Sequence, residues 1–229
     1  MSLNQGEARR LIRGLTRGTT IPDGVRFIHV GYESWLSAQH EVLEELPDYN
    51  GSETKFVKGH YGMGKTHFLH LVQEEGRNRN WVTAHLECQR DEVEIDRFET
   101  LYPKICMKLR FPHSDECPEL KDRSDPMVTL IESWVSVVNN SAGVRDQALR
   151  RPVDAASRVY KELQKRLLTP KLTSDFKEAL IALTMASLKN DIDTKNLLYG
   201  WFKGEDRKIQ VPEDYLRQPD GLRTADRGK

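Results

Sequence analysis

The fold expected for this chain is decided by one stretch, Gly59-His60-Tyr61-Gly62-Met63-Gly64-Lys65-Thr66. It matches G-x-x-x-x-G-K-[ST], the P-loop pattern, in which a glycine-rich turn and the start of a helix hold nucleotide phosphates. The three glycines can take positive φ and lack a Cβ, so the backbone can curl with its N–H groups pointing inward. The helix that follows would add its unpaired N–H groups and the positive end of its dipole at the same place. The stretch therefore predicts a nucleotide-binding loop.

The residue types in this loop assign a role to its members. Lys65 would reach the β- and γ-phosphates as a point charge and assist catalysis, and the Thr66 hydroxyl would coordinate Mg²⁺. The predicted cofactors are therefore ATP and Mg²⁺. The nucleotide-binding residues predicted here are Gly59, His60, Tyr61, Gly62, Met63, Gly64, Lys65, Thr66 and His67.

The sequence on both sides of the loop predicts the strands and the helix of a βαβ unit. Thr54–Val57 can form a short strand, and Thr66–Val72 continues as a helix with an apolar face. Trp81–Cys88 alternates at period two, as a second strand does. We therefore expect an α/β fold, a P-loop NTPase with a parallel sheet and helices, followed by a mostly helical C-terminal part. The alternative is a glycine-rich turn before an ordinary core helix.

Composition excludes few functions, but it indicates the size of the fold and the kind of compartment in which the protein works. The 229 residues suffice for one large domain, or for one domain with an appendage. Lys plus Arg and Asp plus Glu both number 35, so no net charge favours nucleic acid or an anionic membrane, although DNA binding is not excluded. The three cysteines, Cys88, Cys106 and Cys117, suit a reducing compartment better than a disulfide framework. No apolar run approaches 18 residues, so we expect a cytoplasmic protein without membrane spans.

An amphipathic helix that ends near Gly18 is predicted at the N-terminus. Its apolar residues recur at helical spacing, and they are Ala8, Leu11, Ile12 and Leu15. Its arginines lie mostly on another face, and they are Arg9, Arg10, Arg13 and Arg17. These arginines could meet phosphates or a partner, but a solvated charged face is the preferred interpretation.

A second segment could contribute to a base pocket. Val25–Glu33 is predicted to be extended and to lead into a helix carrying the apolar residues from Trp35 to Leu46, before a loop at 47–52. Its apolar stretch, glycine and acidic residue resemble the "F-V-G-R-E" segment of AAA+ and related ATPases, which lines the adenine pocket there. Tyr32 stands here in the place of the arginine. The resemblance implies adenine contacts by Ile28, Val30 and Gly31, with core packing as the alternative.

The remaining chain is predicted to be mainly helical. Helical spacing and start signals indicate a helix from Phe98 despite Pro103, then helices starting at Pro126, at Pro152 and at a Ser174 cap, and one containing Trp201. We expect a nucleotide-binding core over 1–110, an exposed insertion over 111–125, a helical region over 126–203, and a charged, poorly ordered tail over 204–229.

The acidic strand that P-loop enzymes use to hold Mg²⁺ and activate water is not found in this sequence. Glu87, at the end of the second predicted strand, could lie near the γ-phosphate in a parallel sheet and act as base, the alternative being a surface carboxylate. Either the chain binds nucleotide without efficient turnover, or it is the N-terminal part of a longer protein. A zinc site using His67 and His70 with Cys88 or Cys106 matches no established spacing.

Four segments of the chain carry a family resemblance. They are Glu7–Gly18 against "R-R-x-I-x-x-L-R-x-G", the extended His29–Gly31, Gly59–Leu69 against "G-K-[ST]-H-F/L-L", and Trp201–Glu205 against "W-L-x-G-E". With these segments the chain resembles the ATP-binding proteins of bacterial BREX phage-resistance systems. The family consists of AAA+-like P-loop ATPases, so the resemblance implies ATP binding and hydrolysis. In the family the last segment precedes the acidic strand, so this sequence is expected to stop just short of it.

Three functions fit these observations. The leading one is an AAA+-like ATPase that remodels or loads a nucleic-acid-processing partner during phage defence, with protein partners and possible oligomerisation. A second is a P-loop kinase for a small molecule, for which Arg145, Arg150 and Arg151 are the only lid candidates. A third is a module that binds nucleotide without hydrolysing it and presents a surface to partners. Negligible ATP turnover and absent phosphate transfer would separate the third from the first two.

Overall fold

The chain forms two compact units in a computed structural model. The first unit comprises Met1–His85 and Leu109–Lys121, and the second comprises Leu86–Lys108 and Asp122–Lys229. The structure describes residues 4–19, 24–31, 33–49, 51–88, 95–112, 125–144, 152–167, 172–205 and 215.

The first unit is built around one helix, α3. Its elements, in chain order, are α1 (Gln5–Thr16), a 3₁₀ helix (Val25–Phe27), α2 (Glu33–Tyr49), α3 (Lys65–Asn78), β1 (Thr83–Ala84) and β2 (Leu109–Arg110). Helix α3 packs against the 3₁₀ helix, α2 and β1. Its Phe68 and Leu71 are buried, and the Trp35 ring of α2 meets Phe68 edge to face at 6.4 Å between centroids. Burial of this face stabilises α3 in the unit.

Helix α1 starts where its sequence supplies a complete capping box. The Asn4 side chain accepts a hydrogen bond from the Glu7 N–H at 2.9 Å, and the Glu7 carboxylate accepts one from the Asn4 N–H at 2.9 Å. Two of the four unpaired N–H groups at this end are thereby satisfied. Leu11 is buried and lies 3.4 Å from the position that a Cβ on Gly24 would occupy. The apolar side of α1 is therefore held against the segment that leads into the 3₁₀ helix.

The second unit is a helical bundle. Its helices are α4 (Phe98–Met107), α5 (Pro126–Ser141), α6 (Pro152–Leu167), α7 (Ser174–Lys189) and α8 (Ile192–Lys203). Helices α5 and α7 lie at its centre: α5 packs against α4, α6, α7 and α8, and α7 packs against α5, α6 and α8. In α7, Ala179, Ala182, Leu183 and Ala186 are fully buried. The small alanines let neighbouring helices approach closely, and the leucine fills the space between them.

The prediction of a parallel sheet, and with it of a P-loop NTPase fold, is wrong. The two strands in the described residues pair antiparallel, with Thr83 opposite Arg110 and Ala84 opposite Leu109. Residues 51–60 have no regular secondary structure, and Phe56 is 92% exposed. A parallel strand is buried on both faces and needs neighbours to pair with. Two apolar residues flanked by lysines, in a segment without a pairing partner among the described residues, do not meet that requirement.

Three smaller predictions also differ from the structure. Val25–Phe27 is a 3₁₀ helix rather than extended chain, and Gly24, with φ of 84°, turns the backbone into it. Helix α2 continues through Pro47 to Tyr49, where a loop was expected. Helix α7 is capped by the Thr173 side chain, which accepts a hydrogen bond from the Phe176 N–H at 3.3 Å, rather than by Ser174.

The helices themselves are where the sequence pattern placed them. Helix α4 runs through Pro103, and α5 begins at Pro126 with Asp125 as its N-cap. Most of the expected insertion over 111–125 and of the tail over 204–229 lies outside the described residues. None of the helices in the described part of the chain combines the length and apolar character that a membrane crossing requires.

Candidate functional site

The glycine-rich loop turns sharply into the N-terminus of α3. Gly62 and Gly64 have φ of 82° and 79°, in the left-handed region that favours glycine. Gly64 caps the helix, and its carbonyl accepts the first helical hydrogen bond, from the Phe68 N–H, at 2.9 Å. Gly59 does not adopt positive φ. Two of the three glycines are therefore required by the backbone conformation, and the helix starts at Lys65 as the motif predicts.

The Lys65 ammonium lies against the beginning of the loop. Its Nζ donates to the Gly59 carbonyl at 2.9 Å and to the His60 carbonyl at 2.8 Å. The Met63 N–H donates to the same His60 carbonyl at 3.4 Å. The lysine side chain thus closes a ring of backbone from 59 to 65. It places a full positive charge beside the helix N-terminus, where an anion is already favoured by the unpaired N–H groups.

The predicted loop residues are open to solvent. Tyr61 is fully exposed, Met63 is 58% exposed, and Thr66 is exposed on the first turn of α3. A hydroxyl at this position can face a metal ion bound to a ligand at the helix N-terminus. The loop therefore offers backbone donors, an ammonium group and a hydroxyl within one turn of chain.

A pair of histidines connects the loop to the segment expected on the adenine side. The His29 and His67 rings stack, with centroids 5.6 Å apart and planes 20° from parallel. Burial, and secondarily the charge of His29, lower the pKa of His67. Because Val30 and Gly31 follow His29 directly, the structure brings these predicted residues to the start of α3. Val30 is 89% exposed and Gly31 is only partly buried, so neither is part of the core.

His29 is the residue of this region that motif matching missed. The motif points to His67 by position, but nothing in the spacing links His67 to a histidine 38 residues earlier. A second stack joins His70 of α3 to His85, with centroids 4.5 Å apart. Four of the seven histidines therefore form two ring pairs, and each pair includes one histidine from the first two turns of α3 after the loop motif, His67 or His70. The sequence shows that His60, His67 and His70 lie close together along the chain. Which histidine rings stack on one another becomes visible only in the folded structure.

Other candidates are not brought to the loop by the observed strands. Glu87 is exposed and belongs to the second unit, and the parallel sheet that would have put it beside the γ-phosphate is not present in the described residues. Its role as base stays a prediction. The lid candidates Arg145, Arg150 and Arg151 lie outside the described residues. Among the described residues no three His, Cys, Asp or Glu side chains cluster as metal ligands, so the zinc alternative gains no support.

The family-like segment Trp201–Glu205 ends α8 beside a cleft of about 250 Å³ in the second unit. The Lys203 ammonium lies 3.3 Å from the Asp125 carboxylate and 2.7 Å from that of Glu205. These hydrogen bonds raise the pKa of Lys203. Because two carboxylates already compensate the one ammonium, this cleft is a poor place for a phosphate.

Comparison with protein families shows that the chain belongs to a class of ATP-binding proteins. A family model described as "BREX system ATP-binding protein BrxC/D" matches residues 3–213, which is most of the sequence. The chain therefore belongs to the BrxC/D family of BREX systems, as the sequence resemblance indicated. Searches of the curated proteins and of the solved structures found no match.

Proposed function

We propose that this protein binds ATP with the loop Gly59–Thr66 and works in bacterial phage defence. ATP turnover would remodel or load a nucleic-acid-processing partner. Membership of an ATP-binding family supports nucleotide binding, and the loop is where the chain offers chemistry suited to a polyphosphate. The single observation that carries the assignment is the turn at Gly62 and Gly64 that delivers the chain into α3 at Lys65.

The phosphates are assigned to the N-terminus of α3. The first N–H groups of α3 have no partner within the helix, and the helix dipole adds partial positive charge at this end. The Lys65 ammonium, now on the Gly59 and His60 carbonyls, needs only to rotate its flexible side chain to meet β- and γ-phosphate oxygens. Anion binding at such a helix end is common because both effects act together.

Mg²⁺ and the adenine ring are assigned to residues near these phosphates. The Thr66 hydroxyl, exposed on the first turn of α3, would be a ligand of Mg²⁺, and the ion would offset the negative charge of the phosphates. The backbone at Val30 and Gly31 would contact adenine, because the stacked His29 and His67 rings hold this segment at the start of α3. His67 is kept mainly neutral near pH 7 by its lowered pKa, so it adds no charge to the site.

The test is replacement of the lysine, with a neighbouring lysine as control. In calorimetric titrations with ATP and Mg²⁺, Lys65→Ala should weaken binding by at least about 10- to 100-fold, since a hydrogen bond to a charged group contributes roughly 1.5–3 kcal/mol. Lys58→Ala removes the same charge from an exposed position seven residues earlier and should leave the affinity within about twofold. Equal affinities of Lys65→Ala and the natural protein would refute the site.

A further inference from the structure

Helix α1 carries positive charge that the proposed ATP site does not use. Its exposed arginines are Arg9, Arg10, Arg13 and Arg17, the last at the C-cap. None of these four forms an ion pair with another residue in the described part of the chain. The one acidic residue of the helix, Glu7, is engaged with Asn4 in the capping box. The helix therefore presents four uncompensated charges, which we call the arginine row.

The helical geometry of α1 aligns most of these arginines along one line of its surface. Arg9, Arg13 and Arg17 follow one another at four-residue spacing, so they lie on neighbouring turns about 6 Å apart and span about 12 Å. Arg10 lies on the adjacent line of the helix surface. Leu11 and Gly14 are buried on another side of α1, which anchors the helix to its unit. The row consequently faces outward on an anchored helix.

Like charges at this spacing cost stability, because side chains four residues apart on a helix are neighbours. The chain as a whole is neutral, with 35 basic and 35 acidic residues. Even so, no carboxylate in the described part of the chain forms an ion pair with the arginine row. A ligand with regularly repeated negative charge would remove the repulsion. Nucleic acid is such a ligand, since a duplex presents a phosphate about every 1.7 Å of its axis.

We propose that the arginine row of α1 docks on the sugar–phosphate backbone of a nucleic acid, without reading its bases. Guanidinium groups match phosphate oxygens by paired hydrogen bonds, which favours arginine over lysine in this role. A membrane surface fits less well, because Leu11 is buried and only Ile12 and Leu15 remain to enter lipid. An acidic helix can repeat carboxylates at the same spacing, so polyglutamate enters the experiment as the competing ligand.

The experiment measures salt dependence, because counterion release counts phosphate contacts. Anisotropy of a labelled 20-base-pair DNA duplex is followed with the full chain, without ATP, from 50 to 200 mM salt. Four contacts give a slope of log affinity against log salt near −3.6, a loss of about 150-fold across this range. Replacing Arg9, Arg10, Arg13 and Arg17 together by Gln should bring the slope close to zero, and Arg13→Gln alone should reduce it by about 0.9.

The matched control removes the same total charge elsewhere. Lys108, Arg158, Lys161 and Lys165 are exposed residues without an ion pair among the described residues, and their joint replacement by Gln should leave the slope unchanged. Equal weakening by both quadruple variants, or no weakening by the α1 variant, would overturn the proposal. So would tighter binding of polyglutamate or phosphatidylserine vesicles than of duplex to the arginine row.

Folding and ATP binding are checked separately. Gln has a helix propensity close to that of Arg, and the variant relieves repulsion, so circular dichroism should be unchanged. The single Arg13→Gln variant keeps three charges and still reports a slope if the quadruple variant proves unstable. Because the duplex is titrated without nucleotide, failure here leaves the Lys65 assignment untouched, and failure of Lys65→Ala leaves this one untouched.

Discussion

At the residue scale, Gly204 shows how closely one backbone position of the second unit is enclosed. It ends α8 with φ of 76°, and a Cβ there would lie 2.9 Å from Cδ1 of the Tyr102 ring and 3.2 Å from Pro103. The ring cannot easily withdraw, because its hydroxyl donates to the Phe202 carbonyl at 2.9 Å. Burial raises the pKa of this hydroxyl, which therefore stays a donor at neutral pH.

Gly204→Ala should therefore destabilise the protein by about 2–4 kcal/mol, the sum of a left-handed backbone penalty and a forced shift in packing. The control is Gly143→Ala, which has φ of 68° but only the Arg158 guanidinium within 4 Å of the added Cβ, at 3.8 Å. It should cost only about 1–2 kcal/mol. Urea unfolding followed by circular dichroism measures both. Equal costs would show that the Tyr102 contact is unimportant.

The histidine stack predicts a pH effect on the first unit. Burial and the charge of His29 lower the pKa of His67 below 6.5, so the unfolded chain binds a proton at His67 more readily than the folded one. Stability from this residue is therefore complete above pH 6.5 and declines as pH falls through that value. His67→Gln should flatten the decline in melting temperature between pH 7.5 and 5.5.

A magnetic-resonance titration checks the cause of that shift. The pKa of His67 in the natural protein should lie below 6.5, and in His29→Gln it should rise part of the way back, since burial is the larger cause and remains. A pKa of His67 that is unaffected by removing His29 would show that the two rings do not interact electrostatically.

The turn at Gly62 and Gly64 was predictable from the residues alone, because the motif specifies a conformation that only glycine adopts without cost. The start of α3 at Lys65 follows from the same pattern. The contacts of the Lys65 ammonium with the Gly59 and His60 carbonyls were not predictable, since a flexible side chain chooses its partners in the folded state.

At the scale of elements, the helices of this chain were predictable and the strands were not. Helical periodicity and start signals such as Asp125-Pro126 are local, so a short window of sequence contains them. A strand depends on a partner elsewhere in the chain, and Thr83–Ala84 pairs with Leu109–Arg110 rather than with the segment before the loop. The error in fold class follows from assigning a pairing that no local pattern determines.

A core substitution in helix α7 should cost more stability than the same substitution at an exposed position. Leu183 is fully buried at the centre of the second unit, so Leu183→Ala should cost about 2–5 kcal/mol through lost contacts and a residual cavity. Leu197→Ala on α8 removes the same atoms from a side chain that is 49% exposed and should cost under about 1 kcal/mol. Urea denaturation of both variants measures the difference. Similar costs would contradict the placement of α7 at the centre.

At the scale of the whole molecule, the two compact units predict a divided response to nucleotide. If ATP binds at the loop, it stabilises the elements around α3 by about 2.7 kcal/mol at a ligand concentration 100 times its dissociation constant. Amide hydrogen exchange should therefore slow at Phe68 and Leu71 in the first unit. Exchange in α5 and α7 should change little, because the elements that pack on α3, namely the 3₁₀ helix, α2 and β1, lie in the first unit.

The measurement is hydrogen exchange by mass spectrometry with ATP and Mg²⁺. Lys65→Ala is the control, and its exchange should slow less because its affinity for ATP is lower. Protection confined to the second unit would contradict the location of the ATP site. Neither the existence of two units nor their boundaries follows from the sequence, because Leu109–Lys121 rejoins the first unit after a stretch that belongs to the second.

The Lys65 ammonium has one more consequence for ligand choice. Because two of its three N–H groups already donate to carbonyl oxygens, an anion meets only the third N–H group unless it replaces one or both of these hydrogen bonds. A lone inorganic phosphate brings few oxygens to that exchange, whereas a triphosphate can occupy the ammonium and the helix N–H groups simultaneously. The resting loop would in this way discriminate against the smaller anion and remain available for a nucleotide.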